Sequence, residues 1–255
     1  MDLDGATLLL QWATGGLAFT WVTTRRRELG AGYGWLMRGI FGVLGALAVV
    51  VGRAFDPDGW GAAVRDAGAL ALVLAVVVAL AFSVARRKHP ATFPVWLDVA
   101  APLAGLAGLI GAASASGGAY GLTLARVVIG GGFLGVVSDA MLLGHWYLVQ
   151  PGLSREPLHE LNRWLMTLWP FEVAVFLWSP GMPQVFTGTV DDGWGGLLGW
   201  VWAVSAVTTL ALAYVVRLAL RERYYSAVMS ATGLLYLAIL TGFGMDLVAR
   251  ATLAP

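Results

Sequence analysis

The residues of this sequence best suited to chemistry are ionisable side chains inside strongly apolar stretches. They comprise four acids and two arginines: Asp98, Asp139, Glu172, Asp246, Arg38 and Arg126. A charge buried in hydrocarbon is costly, so an ionisable side chain in a membrane-spanning helix usually pairs with another charge or serves a function. Because four carboxyls meet only two arginines, the sequence predicts surplus carboxyls that can bind and release protons.

The positions of these residues along their stretches predict two ion pairs. Arg38 lies at a depth where it can meet Asp98 or Asp139, and Arg126 lies at a depth where it can meet Asp246. We interpret Arg38, Arg126 and Asp246 as members of structural ion pairs, which often add little net stability. The predicted proton pathway uses the other acids: Asp139, Glu172 and Asp98.

Glu172 is the acid for which an arginine partner is least expected, because it lies in the middle of its apolar stretch. It follows Pro170, and a proline inside a helix frees the carbonyl oxygen four residues earlier, here that of Met166. A carboxyl beside a freed carbonyl is suited to hold a proton, a cation or a hydroxyl-bearing ligand.

The segment Gly144-His145-Trp146-Tyr147 is the most distinctive in the chain. Three interpretations of His145 are open. It is an interfacial histidine among belt aromatics, a ligand to haem iron or hydrogen-bond donor to a quinone carbonyl, or a step in a proton path from the cytoplasm through Asp139 to Glu172. The residues predicted to bind a cofactor are His145, Trp146, Tyr147, Gly132 and Gly135.

The glycines of that set have two interpretations as well. Gly132 and Gly135 fall on one helical stripe with Asp139. Such small residues allow two membrane helices to pack closely. Alternatively, they leave a flat bay for a planar ring such as a porphyrin or a quinone headgroup.

Several chemistries are excluded by what the sequence lacks. There is no cysteine, so disulfides, thiolate metal sites and cysteine nucleophiles are excluded. The only lysine, Lys88, lies in a connecting turn, so a retinal Schiff base is excluded. No His, Asp or Glu cluster has the spacing of a metal site, and no metal is expected. The net charge of +1 argues against nucleic-acid binding.

The composition predicts that helices in a membrane position these residues. The chain is 58% hydrophobic and only 12% charged, whereas soluble domains carry about 25% charged residues. Eight stretches approach the roughly 20 apolar residues that cross a bilayer. We predict an all-α helical bundle in a single domain, 1–255, with eight transmembrane helices at about 6–24, 33–52, 67–85, 95–115, 120–147, 161–178, 197–220 and 225–248.

The charges of the connecting segments alternate from one side to the other. Eleven Lys and Arg residues fall on one side and three on the other. Because basic residues concentrate on the cytoplasmic side, both termini are predicted to lie outside a multi-pass protein of the cytoplasmic membrane.

Three functions fit these features. The first is a membrane subunit of an electron-transfer system of respiratory type, which holds a quinone or haem near the cytoplasmic face and moves protons. The second is a proton-coupled permease for a small solute. The third is a structural or assembly subunit. The expected partners are the lipid bilayer and other membrane subunits or further copies of this chain.

Overall fold

The structure, a computed structural model, describes residues 4–55, 59–89, 92–116 and 118–253. Within these ranges it is built of α-helices without strands. The helices are α1 Gly5–Thr24, α2 Ala31–Phe55, α3 Trp60–Ala85, α4 Leu97–Ala115, α5 Tyr120–Val149, α6 Glu156–Leu177, α7 Met182–Phe186, α8 Leu197–Ala219 and α9 Tyr225–Thr252.

Six of these helices are long and apolar enough to cross a membrane, namely α2, α3, α4, α5, α8 and α9. This identifies the chain as a multi-pass membrane protein. Helices α1 and α6 were also predicted to span the membrane. Both are helical in the structure, α1 over 20 residues and α6 over 22. They are too polar to be among the six. Helix α1 contains Gln11 and several threonines, and α6 begins with a charged first turn.

The helices extend beyond several predicted boundaries. Helix α3 begins at Trp60 instead of residue 67, and α9 continues to Thr252 instead of ending at 248. Both extensions contain charged residues that hydropathy places in loops, Arg65 and Arg250, and both side chains are buried in the structure. The short helix α7 was not predicted.

The chain divides into two compact units, and the boundary falls within α5. The N-terminal unit comprises Asp4–Gly135. At its start, the Asp4 carboxylate caps α1 by accepting hydrogen bonds from the backbone N–H groups of Ala6 and Thr7. Asp4 also pairs with the buried guanidinium of Arg65. Arg65 bonds Asp66 as well, at 3.0 Å, so α3 is held to the start of α1 by charge as well as by packing.

Glycines allow α1 and α5 to cross in close contact within the N-terminal unit. A Cβ on Gly15 would overlap the backbone of Gly131, and one on Gly135 would overlap the backbone of Gly15. A Cβ on Gly131 would lie 3.1 Å from the side chain of Gln11. Gln11 meets Gly131 and, four residues later in both helices, Gly15 meets Gly135. The contacts follow the same direction along both helices, so α1 and α5 are parallel.

The C-terminal unit begins at Val136 and contains the second half of α5 and helices α6 to α9. In the turn before α6, the Ser154 hydroxyl accepts a hydrogen bond from the Glu156 N–H at 3.3 Å, and Pro157 lies in the first turn of the helix. Before α8, the Asp192 carboxylate accepts backbone N–H bonds from Gly196, Trp194 and Leu198, which lower its pKa.

Candidate functional site

His145 forms a hydrogen-bonded pair with Tyr236 in the C-terminal unit. Its Nδ1 lies 3.1 Å from the Tyr236 hydroxyl, and the two rings meet edge to face. Both side chains are exposed on the helix surface. When Tyr236 donates to Nδ1, the histidine proton is on Nε2. The pair then presents an N–H donor to whatever adjoins this surface.

A close helix contact builds this pair. A Cβ on Gly144 would lie 2.9 Å from the Thr232 hydroxyl, so glycine is what brings α5 against α9 here. Tyr236 is one helical turn beyond Thr232, and His145 directly follows Gly144. The contact therefore positions both side chains on the same surface. Tyr236 is the member of the pair that the sequence analysis missed, because nothing in a single sequence pairs α9 with α5.

The other predicted aromatic residues, Trp146 and Tyr147, form hydrogen bonds with residues outside this pair. Tyr147 is buried, and its hydroxyl donates to the Ser154 carbonyl oxygen at 2.6 Å. Its own carbonyl oxygen accepts a hydrogen bond from the Tyr225 hydroxyl at 2.9 Å. Trp146 donates from its indole nitrogen to Gln150, four residues later in the chain. Tyr147 thus fixes the end of α5, and Trp146 bonds locally.

At Gly135, the glycine stripe serves to pack α5 against α1 and does not leave space for a ring. The space beside Gly135 is filled by the backbone of α1 at Gly15. A planar ring has no room there, so the interpretation in which Gly132 and Gly135 together form a flat bay for such a ring is wrong. Gly132 itself is half-buried.

Arg38 and Asp98 form a buried, two-pronged ion pair in the N-terminal unit. The Arg38 Nε donates to one carboxylate oxygen at 2.7 Å and Nη2 to the other at 2.8 Å. The Phe93 ring lies 5.0 Å from the guanidinium carbon. Of the two acids expected near Arg38, the structure thus places Asp98 against it. A carboxylate engaged at both oxygens is poorly suited to exchange protons.

Asp139 is an acid of a different kind. It is fully buried on the second half of α5, and neither carboxylate oxygen has a hydrogen-bond partner in the described part of the chain. The charged form of such a group is costly in hydrocarbon, whereas the protonated form is tolerated. Asp139 is therefore suited to hold a proton.

Glu172 belongs to a buried charged cluster that the sequence analysis did not predict. On α9, the Arg250 Nε donates to the Asp246 carboxylate at 2.7 Å. The Arg250 guanidinium also lies 5.8 Å from the Phe176 ring of α6 and interacts electrostatically with Glu172, one turn before Phe176. Glu172 is the acid for which an arginine partner is least expected from the sequence, yet in the structure it lies close enough to Arg250 for their charges to interact. The apolar pattern of the sequence predicts that α9 ends at residue 248, which would place Arg250 in a loop, whereas α9 continues to Thr252.

The four-residue spacing of Asp246 and Arg250 in the sequence is typical of an ion pair within one helix. Acid and base four residues apart lie on one helical face, which favours extending the helix through Arg250. Asp246 forms an ion pair with Arg250, and Arg126 is buried in the N-terminal unit. The pairing of Arg126 with Asp246 stays a prediction.

The described residues contain no group of three or more His, Asp or Glu side chains arranged to hold a metal ion. No family model, curated protein or solved structure matches this chain. The six apolar helices define the chain as a multi-pass membrane protein, and the features that bear on its function are the buried acids and the His145–Tyr236 pair.

Proposed function

We propose that all eight long helices span the cytoplasmic membrane and that both termini lie outside. Helices α1 and α6, at 20 and 22 residues, are long enough to cross the bilayer core. In this arrangement odd-numbered spans run inward, so the first and fifth spans are parallel. The packing of Gly15 against Gly131 and Gly135 supports this arrangement.

Accessibility of single cysteines tests the topology directly, since the chain has no cysteine of its own. We expect Arg26→Cys to be protected from a membrane-impermeant maleimide added to intact cells. A cysteine appended after Pro255 should be labelled. Both should be labelled after permeabilisation. Equal labelling of the two positions in intact cells would contradict the arrangement.

We further propose that the protein is a membrane subunit of an electron-transfer system that binds a quinone at the His145–Tyr236 pair and moves protons through buried carboxyls. The observation that carries this proposal is an exposed, hydrogen-bonded histidine on a helix that is apolar enough to cross a membrane. A quinone is soluble in lipid, so its site must open to lipid. The Nε2 proton of His145 is suited to donate to a quinone carbonyl oxygen.

A quinone fits this pair better than haem does. Haem iron is ligated along its axis by side chains that enclose the ring. His145 instead lies on an exposed surface, and its Nδ1 is engaged by Tyr236. A quinone headgroup requires only hydrogen bonds at its oxygens, and the imidazole Nε2–H, held in this tautomer by Tyr236, supplies one of them.

Buried acids supply the proton chemistry. Reduction of a quinone to a quinol takes up two electrons and two protons, and the electrons come from a partner redox subunit. Asp139 lies on α5, six residues before His145, and is fully buried. We propose that Asp139 passes protons towards the quinone, with Glu172 as a second carboxyl of the same unit.

Quinone content tests this function. The wild-type protein purified in mild detergent should retain about one quinone per chain, as measured by solvent extraction and chromatography. His145→Gln and Tyr236→Phe should each reduce this content several-fold, because one good hydrogen bond contributes about 1 kcal/mol. His159→Gln makes the same exchange outside the pair and should retain the wild-type content.

Proton uptake provides a second readout of the same experiment. Asp139→Asn should keep its quinone but take up protons about a hundredfold more slowly when the quinone is reduced chemically, as followed with a pH indicator. Wild-type protein that contains no quinone would contradict the proposal, and so would a Soret band assigned to His145.

A proton-coupled permease is the second candidate, and the cluster of Glu172, Asp246 and Arg250 favours it. Buried acids that share an arginine are typical of proton and solute pathways in transporters. A protein free of quinone that loses solute uptake in Glu172→Gln would support this function. A protein that lacks both activities would be a structural subunit.

A further inference from the structure

We propose that the turn between α8 and α9, together with the cavity beside it, binds the headgroup of an anionic phospholipid. The turn comprises residues 220–224 and joins two helices that are each apolar enough to cross a membrane. Such a turn lies at the level of the lipid headgroups. Tyr224 is 74% exposed there, as expected of an interfacial aromatic residue.

A cavity of about 120 Å³ lies next to this turn. It is lined by Tyr147, Gly152, Leu153, Arg155, Tyr225 and Val228. These residues come from the end of α5, the segment before α6 and the first turn of α9. The lining combines tyrosine rings and aliphatic side chains with one arginine, which suits the glycerol region of a lipid below its phosphate.

Arg155 fixes the turn against the cavity. Its guanidinium nitrogens donate hydrogen bonds to three consecutive backbone carbonyl oxygens, those of Glu222, Arg223 and Tyr224. Arg155 therefore stabilises the turn, and its guanidinium N–H groups are already engaged by the backbone. The side chains that remain available to an anion belong to the turn itself.

Arg221 and Arg223 provide the charge. Both side chains are exposed, and neither forms an ion pair within the part of the chain that the structure describes. Glu222 lies between the two arginines in sequence, and Glu156 directly follows Arg155; both acids are exposed. Two unengaged guanidinium groups at headgroup level complement a phosphate, which arginine binds through paired N–H donors.

Native mass spectrometry of the full-length protein in mild detergent tests the site. After addition of phosphatidylglycerol or phosphatidylcholine in equal amounts, the wild-type protein should retain phosphatidylglycerol preferentially. The double variant Arg221→Gln/Arg223→Gln should bind it about thirtyfold more weakly, because a basic residue at an anionic surface contributes about fivefold. Arg87→Gln/Lys88→Gln removes the same charge from another turn and should bind as the wild type does.

The cavity has its own variant, which leaves both arginines in place. Leu153→Trp should weaken retention by filling the cavity, whereas Leu153→Ala should not. Equal retention of the two lipids, or equal losses in the two double variants, would overturn the proposal. It would also be overturned if inorganic phosphate at millimolar concentration displaced the lipid, since the phosphate alone would then be the ligand.

Discussion

Replacement of Gly15 by alanine should prevent the protein from folding normally. The new Cβ would overlap the carbonyl group of Gly131, which is backbone and cannot rotate away. Helix α1 would have to move from α5, and the packing on both sides of the crossing would be lost. We expect a loss of about 3 kcal/mol or more in the free energy of unfolding, measured by denaturant titration in mixed micelles.

Gly39→Ala is the matched control for this prediction. A Cβ at Gly39 on α2 meets nothing within 4 Å. The same exchange should therefore be neutral there, or stabilising by up to about 1 kcal/mol through the higher helix propensity of alanine. If Gly15→Ala and Gly39→Ala unfold at the same denaturant concentration, the close crossing of α1 and α5 does not exist.

Replacement of Arg38 by methionine should have the second large effect. It leaves the Asp98 carboxylate, of which 4% is exposed, without the guanidinium that engages both of its oxygens. Removing one partner of a buried ion pair costs about 3–5 kcal/mol. The free energy of unfolding of Arg38→Met should fall by that amount in the same titration.

Two further variants separate the ion pair from the loss of a positive charge. The double variant Arg38→Met/Asp98→Leu removes both charges and should recover most of the lost stability. Arg53→Met removes an arginine whose side chain is 72% exposed and 3.3 Å from Asp66, so it should cost about 1 kcal/mol or less. A double variant no more stable than Arg38→Met would show that the pair is not the cause.

Hydrophobic length was sufficient to predict the eight long helices, but it predicted neither the short helix α7 nor the ends of some of the long helices. Arg65 and Arg250 look like loop residues because an isolated arginine is excluded from hydrocarbon. Each is accommodated by an acid within reach, Asp66 and Asp246 respectively. Whether a charge is paired depends on packing, and hydropathy does not register packing.

The candidate site was only partly predictable for the same reason. His145 could be singled out from its neighbours Gly144 and Trp146, but its hydrogen-bond partner is 91 residues away in sequence. The position of Tyr236 is set by the contact of Gly144 with Thr232. A glycine in a sequence indicates that something approaches closely without indicating what approaches.

The polarity of α1 has a consequence for how the chain enters the membrane. The buried amide of Gln11 and the threonines of α1 lower its hydrophobicity. On its own, α1 should therefore insert only weakly from the translocon into the bilayer. Helix α2, which follows after a six-residue connection, is apolar enough to be retained. We therefore expect the two helices to partition into lipid as one hairpin during synthesis, so that truncation before α2 leaves α1 outside the bilayer.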